Sequence, residues 1–408
     1  MPRIPEKVEL LAPAGNFEKL EIAVHYGADA VYLGDKNFSL RNFADNFTLP
    51  RLQAAAAFTR QHDVKLYVAC NIYSPTYEAD ALADYLRALG DIGPDGVIVA
   101  DPGVFLLVRE IIPHVPVHLS TQANTTSLNA VRFWEKLGVR RINIARELSL
   151  AEIRAITGHC TAEIEAFVHG AMCVSYSGRC LLSHYLSGRD SNRGMCSHPC
   201  RWRYHVVEQQ RPGQYLPVAA DDRGTYIFSS RDLCMIEHLD RIIESGVHAL
   251  KIEGRMKSIN YLAATVKVYR EAIDAYYAAS ETWHVKNQWL AELAAINNRG
   301  YSTGFYFGSP ADGGISSTNT GAPDSRLFAA RVVEDSTGDM VRIQVRNKIF
   351  QGDGVEILTP GSPVKRDVIA AILDEAGTIM DYAQPNSVVI LRLSTPCRGN
   401  DIIRKMVP

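Results

Sequence analysis

The chain has 408 residues, of which 47% are hydrophobic and 22% are charged, a composition that excludes a disordered or collagen-like protein. Lys and Arg number 43 against 45 Asp and Glu, so the formal net charge is −2 and any nucleic-acid contact must come from a local basic patch. The sequence shows neither a secretion signal near its start nor a run of about 18 apolar residues. We therefore expect a cytoplasmic protein that makes no membrane contact.

Short apolar segments rich in β-branched residues alternate with amphipathic segments of helical length through the first two thirds of the chain. Eight of the short segments are predicted strands: Val8–Ala12, Ala30–Gly34, Lys65–Asn71, Gly96–Ala100, Val117–Ser120, Arg141–Ala145, Ile164–Val168 and Ala249–Glu253. Eight βα units predict an α/β fold, a (β/α)8 TIM-like barrel. A doubly wound open sheet is the alternative.

Breaks in this pattern divide the chain into two predicted domains. We assign residues 1–307 to a barrel catalytic domain, with an insertion at about 170–245 that holds five of the eight cysteines. A helix is predicted over 262–290. Residues 308–325 are rich in Gly, Ser, Thr and Asn, which is typical of a linker. Residues 326–408 contain short alternating segments separated by turn residues, and these predict a small C-terminal antiparallel β-barrel domain, with a sandwich as the alternative.

The cysteines of the insertion have spacings that suit metal binding. Six residues separate Cys173 from Cys180, fifteen separate Cys180 from Cys196, and three separate Cys196 from Cys200. The wide first spacing favours an iron–sulfur cluster over zinc, which prefers tighter pairs, and buried or redox-active thiols are a further alternative. Cys234 is a fifth candidate, which competes with Cys200 for the fourth ligand position.

A basic and aromatic segment runs between and just after these cysteines. It contains four arginines with aromatic or imidazole side chains among them: Arg189, Arg193, His198, Arg201, Trp202, Arg203 and Tyr204. Arginine suits phosphate, and neighbouring aromatic rings stack on unpaired bases, so the segment predicts a patch that binds single-stranded RNA. An exposed loop whose arginines pair with nearby acids is the alternative.

Polar side chains follow the predicted strands, at the end of the barrel where TIM-barrel active sites lie. Lys251 and Glu253 share one face of the last strand and, with His169, are the candidate catalytic residues. The candidate substrate-binding residues at this end are Arg41, Asn71, Gln122, Asn124, Arg146 and Arg255. Because an arginine can bind an anion with two parallel hydrogen bonds, Arg41 and Arg255 are the expected anchors for a small anionic metabolite.

Common hydrolase and nucleotide motifs are excluded or absent. Residues 300–304 read GYSTG and match G-x-S-x-G, but no histidine follows Ser302, as the α/β-hydrolase order requires. The sequence has no H-E-x-x-H, no phosphate-binding P-loop and no G-x-G-x-x-G. A Cys–His peptidase stays open, because Cys173 or Cys180 can meet His169 or His184.

Several motifs carry a resemblance to a known family. EAFVHGAMC at 165–173 and GRCLLS at 178–183 resemble the signature of the collagenase-like peptidase family, unclassified-peptidase group 32. LLAPAGNFEKLEIAVHYGADAVYLG near the start, LSTQAN at 119–124 and LKIEGRMKS at 250–258 are similar to the same family. The resemblance covers nearly the whole chain.

The resemblance implies a tRNA modification enzyme that supports C5 hydroxylation of the wobble uridine to 5-hydroxyuridine. It also implies a [4Fe–4S] cluster on Cys173, Cys180, Cys196 and Cys200, prephenate as a co-substrate, and the tRNA anticodon loop as the partner. Other members hydroxylate a cytidine of the large ribosomal RNA or act in ubiquinone hydroxylation. Hydroxylation of another RNA and collagenase-like peptidase activity are therefore the alternatives, and we expect hydroxylation rather than peptide cleavage.

Overall fold

The computed structural model describes residues 6–40, 45–172, 180–189, 191, 194–201, 219–221, 224–226, 231–308 and 326–406. The strands before residue 309 are β1 (Glu9–Pro13), β2 (Ala30–Gly34), β3 (Lys65–Cys70), β4 (Gly96–Val99), β5 (Val117–Leu119), β6 (Arg141–Asn143), β7 (Glu163–Ala171), β8 (Ala219–Asp221), β9 (Gly224–Tyr226), β10 (Asp232–Cys234), β11 (Ala249–Ile252) and β12 (Tyr301–Ser302). Strands β1 to β7 and β11 are parallel neighbours, and β11 pairs with both β7 and β1. The eight strands therefore close into a barrel, which confirms the predicted TIM-like fold and excludes the open sheet.

Helices alternate with these strands and cover the outside of the barrel. They are α1 (Phe17–His25), α2 (Leu49–Gln61), α3 (Ala79–Ile92), α4 (Pro102–Ile111), α5 (Leu128–Lys136), α6 (Leu150–Thr157), α7 (Leu182–Ser187), α8 (Leu239–Glu244), α9 (Ile259–Ala278) and α10 (Asn287–Ala294). Asn16, Asp101, Ser149 and Ser258 cap α1, α4, α6 and α9, because each side chain accepts a hydrogen bond from a backbone N–H of the first helical turn. No helix in the described part of the chain is both long enough and apolar enough to cross a bilayer.

The prediction of one helix over 262–290 is wrong, because the chain turns between α9 and α10. Ala279 leaves the helical conformation with φ −159°, and the Trp283 indole N–H donates back to the carbonyl of Ala272 at 3.2 Å. Helix α10 then packs against α9 through Trp289, whose indole N–H bonds to the Glu271 carboxylate at 3.0 Å. The apolar periodicity continues through the turn, so the sequence pattern does not reveal it.

The last part of the chain forms a second sheet with its own apolar core. Its strands are β13 (Arg326–Val332), β14 (Met340–Val345), β15 (Ile349–Phe350), β16 (Gly354–Leu358), β17 (Lys365–Val368), β18 (Ala371–Leu373), β19 (Ile379–Met380), β20 (Tyr382–Ala383), β21 (Val388–Arg392) and β22 (Ile402–Met406). Eight of them pair antiparallel in the order β17-β16-β22-β13-β14-β21-β18-β19, while β15 pairs with β20. The predicted antiparallel domain is confirmed.

The hydrogen bonds of this sheet do not make the closed barrel that the sequence predicts. Its outer strands β17 and β19 do not pair with each other within the described residues. Strand β17 is exposed and charged, with the sequence KRDV, and β19 has only two residues. Short or charged outer strands resist further pairing, so the sheet stays open along this edge.

The two domains share a buried polar interface. Arg404 of β22 is fully buried, and its guanidinium makes two hydrogen bonds, at 2.5 and 2.9 Å, to the Glu292 carboxylate of α10. The Tyr26 hydroxyl donates to the carbonyl of Leu358 at 2.7 Å and accepts from the N–H of Ile402 at 3.1 Å. A barrel side chain thus satisfies backbone groups of the C-terminal sheet.

Candidate functional site

A cavity opens at the carboxyl ends of the barrel strands and, with its open mouth included, encloses about 500 Å³. Its lining residues come from six barrel strands and the loops that follow strands: Tyr32, Leu40, Ala69, Asn71, Ile98, Ser120, Thr121, Gln122, Asn143, Arg146, Phe167, Lys251, Glu253 and Arg255. Parallel barrel strands end at one rim, so residues far apart in sequence meet here. Its position at the carboxyl rim of the barrel is where ligands of this fold bind.

Charged side chains inside the barrel form the floor of this cavity. The Lys251 ammonium bonds to the Glu165 carboxylate at 2.8 Å and lies 4.3 Å from the centre of the Tyr32 ring. One layer below, the Arg141 guanidinium bonds to Glu9 at 2.5 Å. Hydrogen-bonded partners compensate these buried charges, so the floor presents a fixed, polar and largely dry surface to a ligand.

Arg146 forms one wall and is 7% exposed. Its guanidinium stacks on the Phe167 ring at 3.9 Å and donates one hydrogen bond, at 2.9 Å, to the carbonyl of Ala171. Its Nη2 lies 3.8 Å from the Glu253 carboxylate, and its buried Nε has no hydrogen-bond partner among the described residues. The stacked and tethered guanidinium is preorganised for an anion, which a flexible lysine is not.

Arg255 forms the facing wall and is 3% exposed. Its guanidinium bonds to the Ser39 hydroxyl at 3.3 Å, and its backbone carbonyl accepts a hydrogen bond from the Lys19 ammonium at 2.9 Å. Gly34 makes this placement possible, because a Cβ at that position would lie 2.4 Å from a guanidinium nitrogen of Arg255. Position 34 therefore excludes any residue larger than glycine.

Uncharged polar groups complete the rim. The Asn71 amide donates to the Ser120 hydroxyl at 3.3 Å, and the same hydroxyl accepts from the N–H of Gln122. The buried Oδ1 of Asn143 has no partner among the described residues. Three cationic side chains and two carboxylates, counting Glu165 beneath the floor, surround the cavity, so its field favours a small anion.

Most of the predicted strand-end residues therefore meet in one place. Lys251 and Glu253 line the cavity, as do Asn71, Gln122, Arg146 and Arg255. Phe167, Tyr32 and Asn143 line it without having been predicted. On their strands, Phe167 and Asn143 alternate with residues that face the surrounding helices. This alternation in the sequence could have identified them as residues that face the inside of the barrel.

Asn124 does not reach the cavity. It ends the 3-10 turn Thr121–Ala123 in the left-handed conformation, with φ 55°. This conformation redirects the chain after Gln122, so Gln122 lines the cavity and Asn124 does not. Asn is one of the few residues that adopt this backbone conformation readily.

His169 does not reach the cavity either, because strand β7 contains a bulge. Lys251 pairs with Phe167, but the next residue, Ile252, pairs with His169. The extra residue reverses the alternation of β7, so His169 faces outward with Ile252. There its ring packs among Tyr261, Tyr269 and Tyr301, at 5.3–5.8 Å between ring centres.

The environment of His169 keeps its ring neutral. Burial lowers the pKa of the imidazole to about 3. Neither ring nitrogen has a hydrogen-bond partner in the described part of the chain. A general base must lie within hydrogen-bond reach of the proton that it accepts, so this placement does not fit His169 for proton transfer in the cavity.

Several predicted residues lie wholly or partly outside the described residues. Cys173, Arg41 and Arg203 are outside, and Arg201 is described by its backbone alone, in the short turn Pro199–Arg201. The proposed basic patch and the Arg41 anchor stay predictions.

The described cysteines of the insertion are Cys180, Cys196, Cys200 and Cys234, which are half-buried and form no disulfide. The N–H of His198 donates to the Cys196 sulfur at 3.4 Å. Burial raises the pKa of the Cys234 thiol to about 12. Among the described residues no three Cys, His, Asp or Glu side chains converge on a common point. The donor chemistry fits an iron–sulfur cluster, since cysteine sulfurs are its usual ligands and N–H groups stabilise them.

Serine hydroxyls connect the segment that follows Cys180 to the segment that carries Cys196. The N–H of Ser197 donates to the Ser183 hydroxyl at 3.0 Å, and the Ser187 and Ser197 hydroxyls lie 2.7 Å apart. The Ser191 hydroxyl donates to the carbonyl of Cys180 at 2.6 Å. Helix α7, which directly follows Cys180, is thereby fastened to the segment that carries Cys196.

The insertion begins and ends on the same barrel strand. It leaves β7 after Ala171, whose carbonyl holds Arg146, and it returns as β10, which pairs antiparallel with β7. In this pairing Cys234 lies opposite His169, and Leu233 lies opposite Gly170. Gly170 has φ 110°, and a Cβ there would lie 2.5 Å from the Glu253 carbonyl. The cysteine-bearing insertion is therefore anchored at the rim of the cavity at both ends.

Comparison with known proteins identifies relatives over nearly the whole chain. The chain is 42% identical to tRNA hydroxylation protein P1 of Bacillus subtilis over 407 residues, which cover 98% of the chain and 96% of that protein. It is 31% identical to the 23S rRNA 5-hydroxycytidine synthase of Escherichia coli, covering 94% of the chain and 57% of the synthase. It is 30% identical to a collagenase of Porphyromonas gingivalis, with 80% of each protein covered.

Family models match both parts of the chain. The model for peptidase family U32 matches residues 15–316, and the model for the C-terminal domain of that family matches residues 324–404. The resemblance inferred from the sequence motifs is confirmed. The chain belongs to peptidase family U32.

Proposed function

We propose that the chain is an RNA-modifying enzyme that supports C5 hydroxylation of the wobble uridine of tRNA to 5-hydroxyuridine. The observation that carries the proposal is the anchoring of the cysteine-bearing insertion on β7, the strand that supplies Phe167 to the cavity wall. A redox group in the insertion and a substrate in the cavity would then share one rigid strand. The names of the tRNA- and rRNA-hydroxylating relatives support this function.

The cavity is proposed to hold a small carboxylate anion. Arg146 and Arg255 face each other across it, and both are nearly inaccessible to water without a ligand. Buried guanidinium groups bind carboxylates through short charge-assisted hydrogen bonds. The family resemblance makes prephenate the candidate, and an Arg41 contact from the loop beyond Leu40 would add to its binding.

Hydroxylation at C5 breaks a C–H bond and forms a C–O bond. With water as the oxygen donor it releases two electrons, which an external oxidant would take up one at a time through the cluster, one proton from the water and one proton from C5. Glu253 is the candidate acceptor of that proton, and the Lys251 ammonium is a candidate proton donor, because both line the cavity. Glu253 is the carboxylate among the described lining residues, and Arg146 at 3.8 Å would stabilise its charged form. The unpaired anticodon loop suits this chemistry, since a base outside a duplex needs little unstacking energy.

We propose that Cys173, Cys180, Cys196 and Cys200 hold a [4Fe–4S] cluster, with Cys234 as the competing fourth ligand. Such a cluster would supply one-electron transfer close to the cavity. The half-buried thiols and the His198 N–H directed at Cys196 support this assignment.

The test is complementation of a deletion strain with the intact chain or its variants, followed by mass spectrometry of tRNA nucleosides. We expect the wild-type chain to restore 5-hydroxyuridine and the Cys173→Ala variant to lose both that product and protein-bound iron and sulfide. Cys160→Ala is the matched control, because Cys160 is also half-buried but lies outside the insertion. Retention of hydroxyuridine by Cys173→Ala contradicts the cluster-based function.

Two further functions have a specific observation in their favour. The rRNA-hydroxylating relative favours a cytidine of ribosomal RNA as the target, and nucleoside analysis of rRNA from the same strains tests it. The collagenase relative favours peptide cleavage, and a gelatin assay tests it. The described residues give a Cys–His169 pair no support, because neither ring nitrogen of His169 has a hydrogen-bond partner among them.

A further inference from the structure

Two exposed aromatic rings lie side by side on the C-terminal domain. Phe350 of β15 and Tyr382 of β20 form a cross-strand pair, with ring centres 6.0 Å apart and ring planes at 49°. Their exposed fractions are 42% and 41%. Aromatic side chains contribute to a packed core by burying their area, so this exposed pair on a short two-stranded sheet contributes little to the core and is accessible to a ligand.

Two lysines accompany the rings. The Lys348 ammonium lies 4.2 Å from the centre of the Tyr382 ring and 4.9 Å from that of Phe350. Lys405 lies 5.1 Å from the Phe350 ring and also pairs with Asp353 at 2.7 Å. Lys348 forms no ion pair with a described residue, so it supplies the uncompensated charge of the cluster. We call Lys348, Phe350, Tyr382 and Lys405 the aromatic platform.

We propose that the aromatic platform binds single-stranded RNA, with unpaired bases stacked on Phe350 and Tyr382 and the backbone phosphates at Lys348 and Lys405. Exposed rings next to lysines are the combination that single-strand binding proteins use, because every base has a face that stacks and every phosphate is an anion. A docking site for an apolar protein segment would instead lack cations over its rings. The proposal deepens the proposed function and rests on it for the identity of RNA as the substrate.

A separate groove lies between the two domains. Met256, Lys257 and Asn260 line one side of the groove, and Arg326 and Asn347 line the other. Asn260 is 9% exposed, and its Oδ1 has no hydrogen-bond partner among the described residues. This oxygen is therefore available to accept a hydrogen bond from a ligand in the groove.

Neighbouring residues of the sequence link these surfaces. The loop after β11 contributes Glu253 and Arg255 to the cavity and then Met256 and Lys257 to the groove. On the other domain, Asn347 lines the groove and Lys348 begins the platform. The platform would hold nucleotides that flank the base being modified.

The experiment measures fluorescence anisotropy of a labelled anticodon stem–loop RNA with the full-length protein. The double variant Phe350→Leu, Tyr382→Leu keeps apolar side chains on the sheet but removes both stacking faces, and we expect binding to weaken by at least about 30-fold. Tyr382→Phe should bind like the wild type, since it retains the ring. Lys348→Gln should lower the slope of log affinity against log salt by about one.

Lys365→Gln is the matched control, because Lys365 is an exposed lysine of the same domain that lies on β17 outside the platform. Unchanged thermal midpoints show that the variants are folded. Equal affinity of the double variant and the wild type overturns the proposal, as does a wild-type protein that binds no RNA. Wild-type protein that binds through the platform but leaves tRNA unmodified supports the platform and contradicts the proposed function instead.

Discussion

Replacing Arg146 by methionine tests whether the cavity holds an anion. Methionine keeps an unbranched side chain against Phe167 and removes the charge and the fork of N–H donors. A hydrogen bond to a charged partner contributes about 1.5–3 kcal/mol, so losing it should weaken prephenate binding by about 10- to 150-fold. The Ala171 carbonyl also loses its donor, and water from the cavity can replace it.

This loss translates into a measurable shift of the thermal midpoint. Prephenate at 100 times its dissociation constant stabilises the folded protein by about 2.7 kcal/mol. A chain of 408 residues has an unfolding entropy of about 0.9 kcal/mol per kelvin, so the wild-type midpoint should rise by about 3 °C. With a dissociation constant raised about 100-fold, the same concentration stabilises Arg146→Met by about 0.4 kcal/mol, a shift of about 0.5 °C.

Differential scanning fluorimetry with and without prephenate measures both shifts. Arg140→Met is the control, since Arg140 lies just before β6 at the opposite end of the barrel and pairs with Glu163 at the surface. It should keep the full shift. An Arg146→Met protein that is stabilised as much as the wild type refutes the anion site, and so does a wild-type protein that prephenate leaves unchanged.

Two further predictions concern stability. Glu292→Ala leaves the fully buried Arg404 with Glu356, at 3.4 Å, as its remaining carboxylate partner. This substitution should lower the free energy of unfolding by about 3–5 kcal/mol, measured by urea titration. The control Glu334→Ala, at the surface, should change the free energy of unfolding by less than about 1 kcal/mol. The folded-state pKa of His169 lies below the unfolded value of about 6.5, so protonation favours the unfolded chain and stability falls as the pH drops below that value. His169→Phe should therefore lose about 2 kcal/mol less stability than the wild type between pH 7.5 and pH 5.0, and an identical pH dependence contradicts the buried neutral imidazole.

The barrel was predictable because its strands are covered on both faces. Segments such as Ala30–Gly34 and Gly96–Val99 are continuously apolar, and each is followed by a helix, so strand positions and their parallel order follow from sequence. The same logic predicted the cavity residues that end strands, among them Lys251 and Arg146. Parallel strands fix which end of each segment reaches the rim.

The remaining site residues depend on backbone geometry that sequence periodicity does not encode. The bulge in β7 turns His169 outward, and the left-handed conformation of Asn124 turns its side chain from the rim. Phe167 escaped prediction because an aromatic residue in a buried strand resembles core, although it supports Arg146. Short strands of two or three residues, such as β15 and β20, carry too little pattern to be recognised, and these hold the aromatic platform.

The Tyr26 hydroxyl has a consequence for the coupling of the two domains. A small slip of the sheet over the barrel would leave a backbone N–H, a backbone carbonyl and a buried guanidinium without partners and still out of water, at a cost of about 1–3 kcal/mol or more each. Sliding of one domain against the other is therefore disfavoured, and the stability of the sheet depends on side chains of the barrel.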